Sequence, residues 1–154
     1  MKWVRYSTAF ILIAVLQTTF CHLISIKGAE PDLVLCFLLY LAVKEGALAG
    51  VYGGFIMGLV FDVYSPQVLG AGCLVKSVTG YLAGFLDERN ITLDEKFKLP
   101  VIFIAALFHH LFSAALLFGF QTAFQKMLLV QILPSAAYTT LAGGLFLLVS
   151  YWRR

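Results

Sequence analysis

Apolar residues in this 154-residue chain come in long blocks, parted by short polar breaks. The blocks run from about Val4 to Ile24, Leu33 to Val43, Gly46 to Phe61, Ala71 to Leu86, Leu99 to Phe120 and Met127 to Ser150. The breaks are the link ending at Pro31-Asp32, the pair Lys44-Glu45, the turn-rich stretch Asp62 to Gly70, the charged stretch Asp87 to Lys98, and Gln121 to Lys126. A helix of about twenty apolar residues crosses a hydrocarbon core of about 30 Å. The pattern predicts an all-α, polytopic membrane protein forming one integral membrane domain over residues 1–154.

The number of crossings turns on Lys44-Glu45. Leu33 to Val43 covers only about 16 Å as a helix, and Gly46 to Phe61 about 24 Å. Either residues 33–61 make one long broken helix or they make two short spans. The positive-inside rule decides. With six spans and a cytoplasmic N-terminus, Lys2, Arg5, Lys44, Arg89, Lys96, Lys98, Arg153 and Arg154 lie inside, and Lys27 and Lys126 outside. Merging 33–61 into one span leaves Lys2, Arg5 and Lys126 inside and Lys27, Arg89, Lys96, Lys98, Arg153 and Arg154 outside, which inverts the bias. The expectation is therefore six transmembrane helices, the second and third short, with both termini cytoplasmic. Short spans must tilt, thin the bilayer or be shielded by longer neighbours. Trp3, Tyr151 and Trp152 suit an interfacial aromatic belt.

Small residues fall on helical spacing in two of the blocks. Gly46, Gly50, Gly54 and Gly58 recur every fourth residue, with Asp62 next; Gly72, Lys76, Gly80 and Gly84 repeat the spacing. Such stripes share one helix face and let backbones approach closely in lipid. They are expected to form a helix-packing surface that also leaves a groove for a partner's transmembrane helix. A charge on a packing face needs a partner, because lysine at the bilayer centre costs about 2.5–3.5 kcal/mol on insertion scales. Asp62 and Lys76 are therefore candidates for a buried ion pair across the third and fourth spans, with snorkelling of Lys76 to the outer headgroups as the alternative.

Composition supports the membrane reading and narrows the chemistry. The chain is 61% hydrophobic and 12% charged, whereas soluble domains are nearer half and a quarter. The net charge of +3 comes from scattered basic residues that cap apolar segments, so no nucleic-acid patch forms. Cys21, Cys36 and Cys73 have no disulfide or zinc spacing. His109-His110, near the middle of the fifth span, point about 100° apart on a helix and cannot both face one site squarely; they read as interhelical hydrogen-bonding groups, with carriage of protons or a ligand the lesser reading and no metal site implied. Lys44-Glu45 reads as a tight inner turn, with a buried, substrate-touching Glu45 the lesser reading. The first block lacks an A-x-A cleavage pattern and is expected to be a retained helix. Thr92 to Glu95 fits a capping box, Pro100 the first turn of the fifth helix, and Pro134 the interior of the sixth, with Ser135, Thr139 and Thr140 serving freed backbone groups. No phosphate loop, H-E-x-x-H or G-x-S-x-G is present. Enzyme is the poorest class; no metal and no cofactor are implied.

Pro31-Asp32, Glu45-Gly46, the glycine ladder, Asp62…Ser65…Leu69-Gly70 and Gly80-Tyr81-Leu82-Ala83-Gly84 resemble the rod shape-determining protein MreD family. The likeness is sharp over about 31–86 and general elsewhere. It implies a non-enzymatic, multi-pass component of the bacterial inner membrane that serves the cell-elongation complex. It further implies binding to the single-span protein MreC, action with the actin-like MreB and with the RodA glycosyltransferase and its transpeptidase partner, and support of lateral peptidoglycan synthesis and cell shape. Members also resemble the substrate-binding membrane subunits of energy-coupling-factor transporters, which supplies the alternative function. Few polar groups in the spans converge on a substrate.

Overall fold

The computed structural model describes residues 2–21, 31–64, 70–87, 95–118 and 131–152. Within them every regular element is a helix: α1 (Lys2–Leu16), α2 (Leu33–Glu45), α3 (Ala47–Tyr64), α4 (Ala71–Gly84), α5 (Glu95–Phe118) and α6 (Leu133–Trp152). A π-helical turn, Gln17–Cys21, extends α1.

The break at Lys44-Glu45 is a hairpin. Gly46 alone joins α2 to α3, at φ 93°, a conformation that favours glycine. Its N–H bonds the carbonyl of Ala42 at 2.8 Å, and its own carbonyl receives Gly50 N–H at 3.0 Å. The side chains of Leu38 and Leu41 then pack over Gly53. In one continuous helix Leu38 and Gly53 would stand about 22 Å apart, so 33–61 is two helices that fold back on each other. Their lengths differ from the expected pair of short spans. Helix α3 has 18 residues and, with Leu99–Leu117 of α5, is long and apolar enough to cross a membrane. The short helices are α2, with 13 residues, and α4, with 14.

Helix α2 tolerates its shortness by sitting at the centre. Val34, Leu35, Phe37, Leu38, Leu39, Leu41 and Ala42 are all buried, so nearly every face of it meets protein. Apolarity all round is what a fully enclosed helix requires. The start of α2 lies level with the interior of its neighbours, against the ninth residue of α4 (Thr79), the fifteenth of α5 (His109) and the seventh of α6 (Thr139).

The periphery is apolar. Helix α1 has no buried residue and exposes Trp3, Val4, Ile11, Leu12 and Val15. Away from its glycines, α3 exposes Leu48, Tyr52, Phe55, Ile56, Val63 and Tyr64. A contiguous apolar surface of this kind is a liability in water and the natural exterior in lipid.

Two prolines fall elsewhere than expected. Helix α5 begins at Glu95, so Pro100 lies inside the helix, not in its first turn. Helix α6 begins at Leu133 after a π-helical turn, so Pro134 is in the first turn, where a missing N–H costs least. Thr92 to Asp94 of the capping box lie outside the described residues.

Candidate functional site

The two glycine stripes meet each other. A Cβ on Gly50 would strike the carbonyl of Gly80, one on Gly54 the carbonyl of Lys76, one on Gly58 the backbone of Cys73, and one on Gly84 the backbone of Ala47. Helices α3 and α4 are therefore antiparallel and in backbone contact over four successive turns. Gly46 makes the turn from α2 and also lies against Gly84. The stripes are consumed within the chain, so the expected groove for a partner helix is not lined by these glycines.

Asp62 continues the same register at the far end. Its carboxylate accepts hydrogen bonds from the backbone N–H groups of Gly70 at 2.9 Å, Gly72 at 3.1 Å and Cys73 at 3.1 Å. These are donors at the α4 N-terminus that have no partner within the helix, and a negative charge is favoured there by the helix dipole. Gly72 is glycine because a side chain would enter the carboxylate, and Gly70 makes the turn at φ 94°. Asp62 and Lys76 do not form an ion pair. Asp62 is taken up by backbone donors, and the Lys76 ammonium lies over the Phe61 ring, 5.8 Å from its centroid, a cation–π distance. The four-residue spacing carries no sign of these competing backbone donors. Ser65 lies outside the described residues.

A second polar cluster gathers where α2 begins. Asp32 caps α2: its Oδ1 accepts from Leu35 N–H at 2.8 Å, the standard use of an aspartate at this position. Its backbone N–H donates to Thr139 Oγ1 of α6 at 3.1 Å. Its Oδ2 lies 3.7 Å from His109 Nε2 of α5. His109 Nδ1 lies 3.4 Å from Thr79 Oγ1 of α4, and Thr79 in turn donates to Val75 O at 2.8 Å. Cys36 Sγ contacts the Thr139 carbonyl at 3.2 Å. Gln17, at the end of α1, brackets Pro31-Asp32-Leu33 by donating to Pro31 O at 3.0 Å and accepting from Leu33 N–H at 2.8 Å. Non-helical backbone deep in a bilayer is tolerated only when protein satisfies it. Here side chains from α1 and α6 satisfy the backbone at Pro31-Asp32-Leu33.

Asp32 and Pro31 entered the sequence reading as family motif only, and His109 as a hydrogen-bonding group; nothing in the sequence joined them to Thr79 or Thr139. The 100° offset of His109 and His110 does hold. His109 is buried and faces the cluster, whereas His110 Nε2 is buried and has no hydrogen-bond partner. Among the described residues no group of three or more His, Cys, Asp or Glu is placed to hold a metal. At the opposite end of α2, Tyr6 of α1 donates to Glu45 Oε1 at 2.8 Å, so Glu45 ties α1 to the hairpin turn.

Apolar side chains outside and polar ones gathered at the helix junctions define an all-helical protein of the membrane-embedded kind. Residues 1–152 match the family model for rod shape-determining protein MreD, and the chain belongs to that family. Its role is therefore in rod shape determination, as a membrane protein and a structural component. Comparison with curated proteins and with solved structures gave no match.

Proposed function

We propose that the chain is a non-enzymatic component of the cell-elongation complex in the bacterial inner membrane, crossing it six times as one domain with both termini in the cytoplasm. In this reading it binds an MreC-like single-span protein and works beside a RodA-like glycosyltransferase and its transpeptidase partner, with MreB-like filaments on the cytoplasmic side. It thereby supports lateral peptidoglycan synthesis. The observation that carries the reading is the family match over nearly the whole chain. The fold supports it: two apolar helices pass the length needed to span, and the short α2 and α4 are packed among longer neighbours. The glycines of α3 and α4 build the scaffold itself, so partner contacts fall on other faces.

The test is purification from native membranes in mild detergent, with mass spectrometry of what accompanies the chain. MreC-like and RodA-like proteins are expected. Recovery of ATPase subunits with a stoichiometric small molecule would overturn the reading in favour of an energy-coupling-factor-type binding subunit.

A further inference from the structure

Helix α4 is short, and protein covers only part of it. Its 14 residues rise about 21 Å, against a hydrocarbon core of about 30 Å. It packs on α2, α3 and α5, but Leu74, Tyr81, Leu82 and Phe85 are exposed. The bundle therefore does not hide the shortness of α4 as it hides that of α2. Tilting would shorten its reach further.

Helix α3 does not supply the missing length, because its ends are matched to those of α4. Gly84 meets Ala47 at one end. At the other, Asp62 takes the N–H groups of Gly70, Gly72 and Cys73. Backbone contact at Gly50 and Gly80, between these ends, leaves no room for sliding. The paired length from Ala47 to Asp62 is about 22 Å.

Polar-tipped side chains mark a still thinner layer. Tyr52 and Tyr81 closely follow the touching Gly50 and Gly80, so they stand at one level of the hairpin. Both are exposed, as is Tyr64 at the other end of α3. A tyrosine hydroxyl on a lipid-facing helix seeks the headgroup level. Tyr52 and Tyr64 both lean toward the N-terminus of their helix, so their hydroxyls keep the separation of the backbone, about 18 Å. Between them α3 exposes only Phe55, Ile56, Leu59, Val60 and Val63. The Lys76 ammonium lies over Phe61, the neighbour of Asp62, which carries its charge toward the same polar end. Helix α5 differs. Its exposed positions from Leu99 to Leu116 are apolar throughout and rise about 25 Å.

We propose that the α3–α4 hairpin is an edge that meets lipid at reduced thickness, with headgroups drawn in to the levels of Tyr52 and Tyr81 on one side and Tyr64 on the other, while α5 meets a deeper hydrocarbon layer. The occupant of this edge is lipid, because its exposed residues form an apolar band bounded at both ends by hydroxyls. The proposal rests on the reading of α3 and α4 as membrane-crossing helices. A bilayer thins to meet a short apolar stretch, and such an edge draws a protein toward lipid of matching thickness.

Spin-label accessibility in liposomes tests it, using the full chain with Cys21→Ala, Cys36→Ala and Cys73→Ala. Single labels are scanned along the exposed positions of α3 from Leu48 to Val63 and of α5 from Leu99 to Leu116. Each label is read for access to oxygen, which gathers at the bilayer centre, and to a water-soluble nickel complex. The two levels at which nickel access falls by half should lie about 18 Å apart on α3 and about 25 Å or more on α5. Equal separations on the two helices would overturn the thin edge. Nickel access along all of α3 would overturn the crossing of the membrane itself. Shielding of the α3 labels from both reagents would put a second copy of the chain on this edge in place of lipid, and would overturn the proposal. The unmodified chain gives a check that needs no labels. Its melting temperature should be higher in short-chain phosphatidylcholine bilayers than in ones whose thickness matches α5, and the reverse order would overturn the thin edge.

Discussion

Gly50 and Gly80 stand backbone to backbone, so that a methyl group on either would enter the carbonyl of the other. This contact lies inside the chain, and it changes what substitutions there should do. Gly50→Leu, Gly54→Leu or Gly80→Leu should separate α3 from α4 and destabilise the whole protein, by about 3 kcal/mol or more where ordinary overpacking costs about 1–3. The check is thermal unfolding in detergent beside partner capture. Stability and capture should fall together, whereas a variant that keeps its melting temperature and loses only its partner would return the glycines to an external interface.

Asp62 holds the other end of the same hairpin. Asp62→Ala removes the acceptor for three backbone N–H groups and should cost about 1–2 kcal/mol, in the upper range of helix caps. Asp62→Asn, which caps nearly as well, should cost less. The exchange Asp62→Lys with Lys76→Asp should be no more stable than the single variants, because the two side chains serve different partners. Recovery of stability in the double variant, seen in the same melting measurement, would restore the ion pair.

Thr139 and Thr140 are adjacent hydroxyls with different duties. Thr139 accepts from Asp32 N–H at the start of α2, whereas Thr140 donates at 2.7 Å to Ala136 O within its own helix. Thr139→Val should lower stability by about 1 kcal/mol and Thr140→Val by much less. Equal losses would mean that the α2 N-terminus is not held from α6.

Tyr6 and Glu45 make the tie between α1 and the α2–α3 turn. Tyr6→Phe keeps the ring and loses only the hydroxyl, so it should cost about 0.5–1.5 kcal/mol. Because α1 buries no residue of its own, the loss should appear first as faster proteolysis of α1, with α2–α4 still protected. Uniform loss of protection would show that α1 is part of the core.

Much of this architecture was legible in the sequence because it follows from periodicity. Four-residue spacing of glycine announced the α3–α4 contact, and the charge balance across Lys44-Glu45 announced two helices where length alone allowed one. The rest depended on tertiary partners. For Asp62, no spacing rule shows that backbone donors of the next helix will take the carboxylate first. Helix α3 ran longer than expected because Asp62 is polar in the sequence and satisfied in the fold, so it ends no helix. The cluster at Asp32 joins four helices through residues 79, 109 and 139, and contacts so distant in sequence leave no local pattern.

The central claim is that the chain acts in rod shape determination and that the polar cluster at the start of α2 is needed for that role. The most direct measurement is complementation in rod-shaped cells depleted of their own copy, scoring cell aspect ratio and membrane level together. Asp32→Leu, which removes the α2 cap and the contact to His109, should reach the membrane and leave the cells rounded, while Thr140→Val restores rods. Full rod shape with Asp32→Leu at the normal membrane level would contradict the claim.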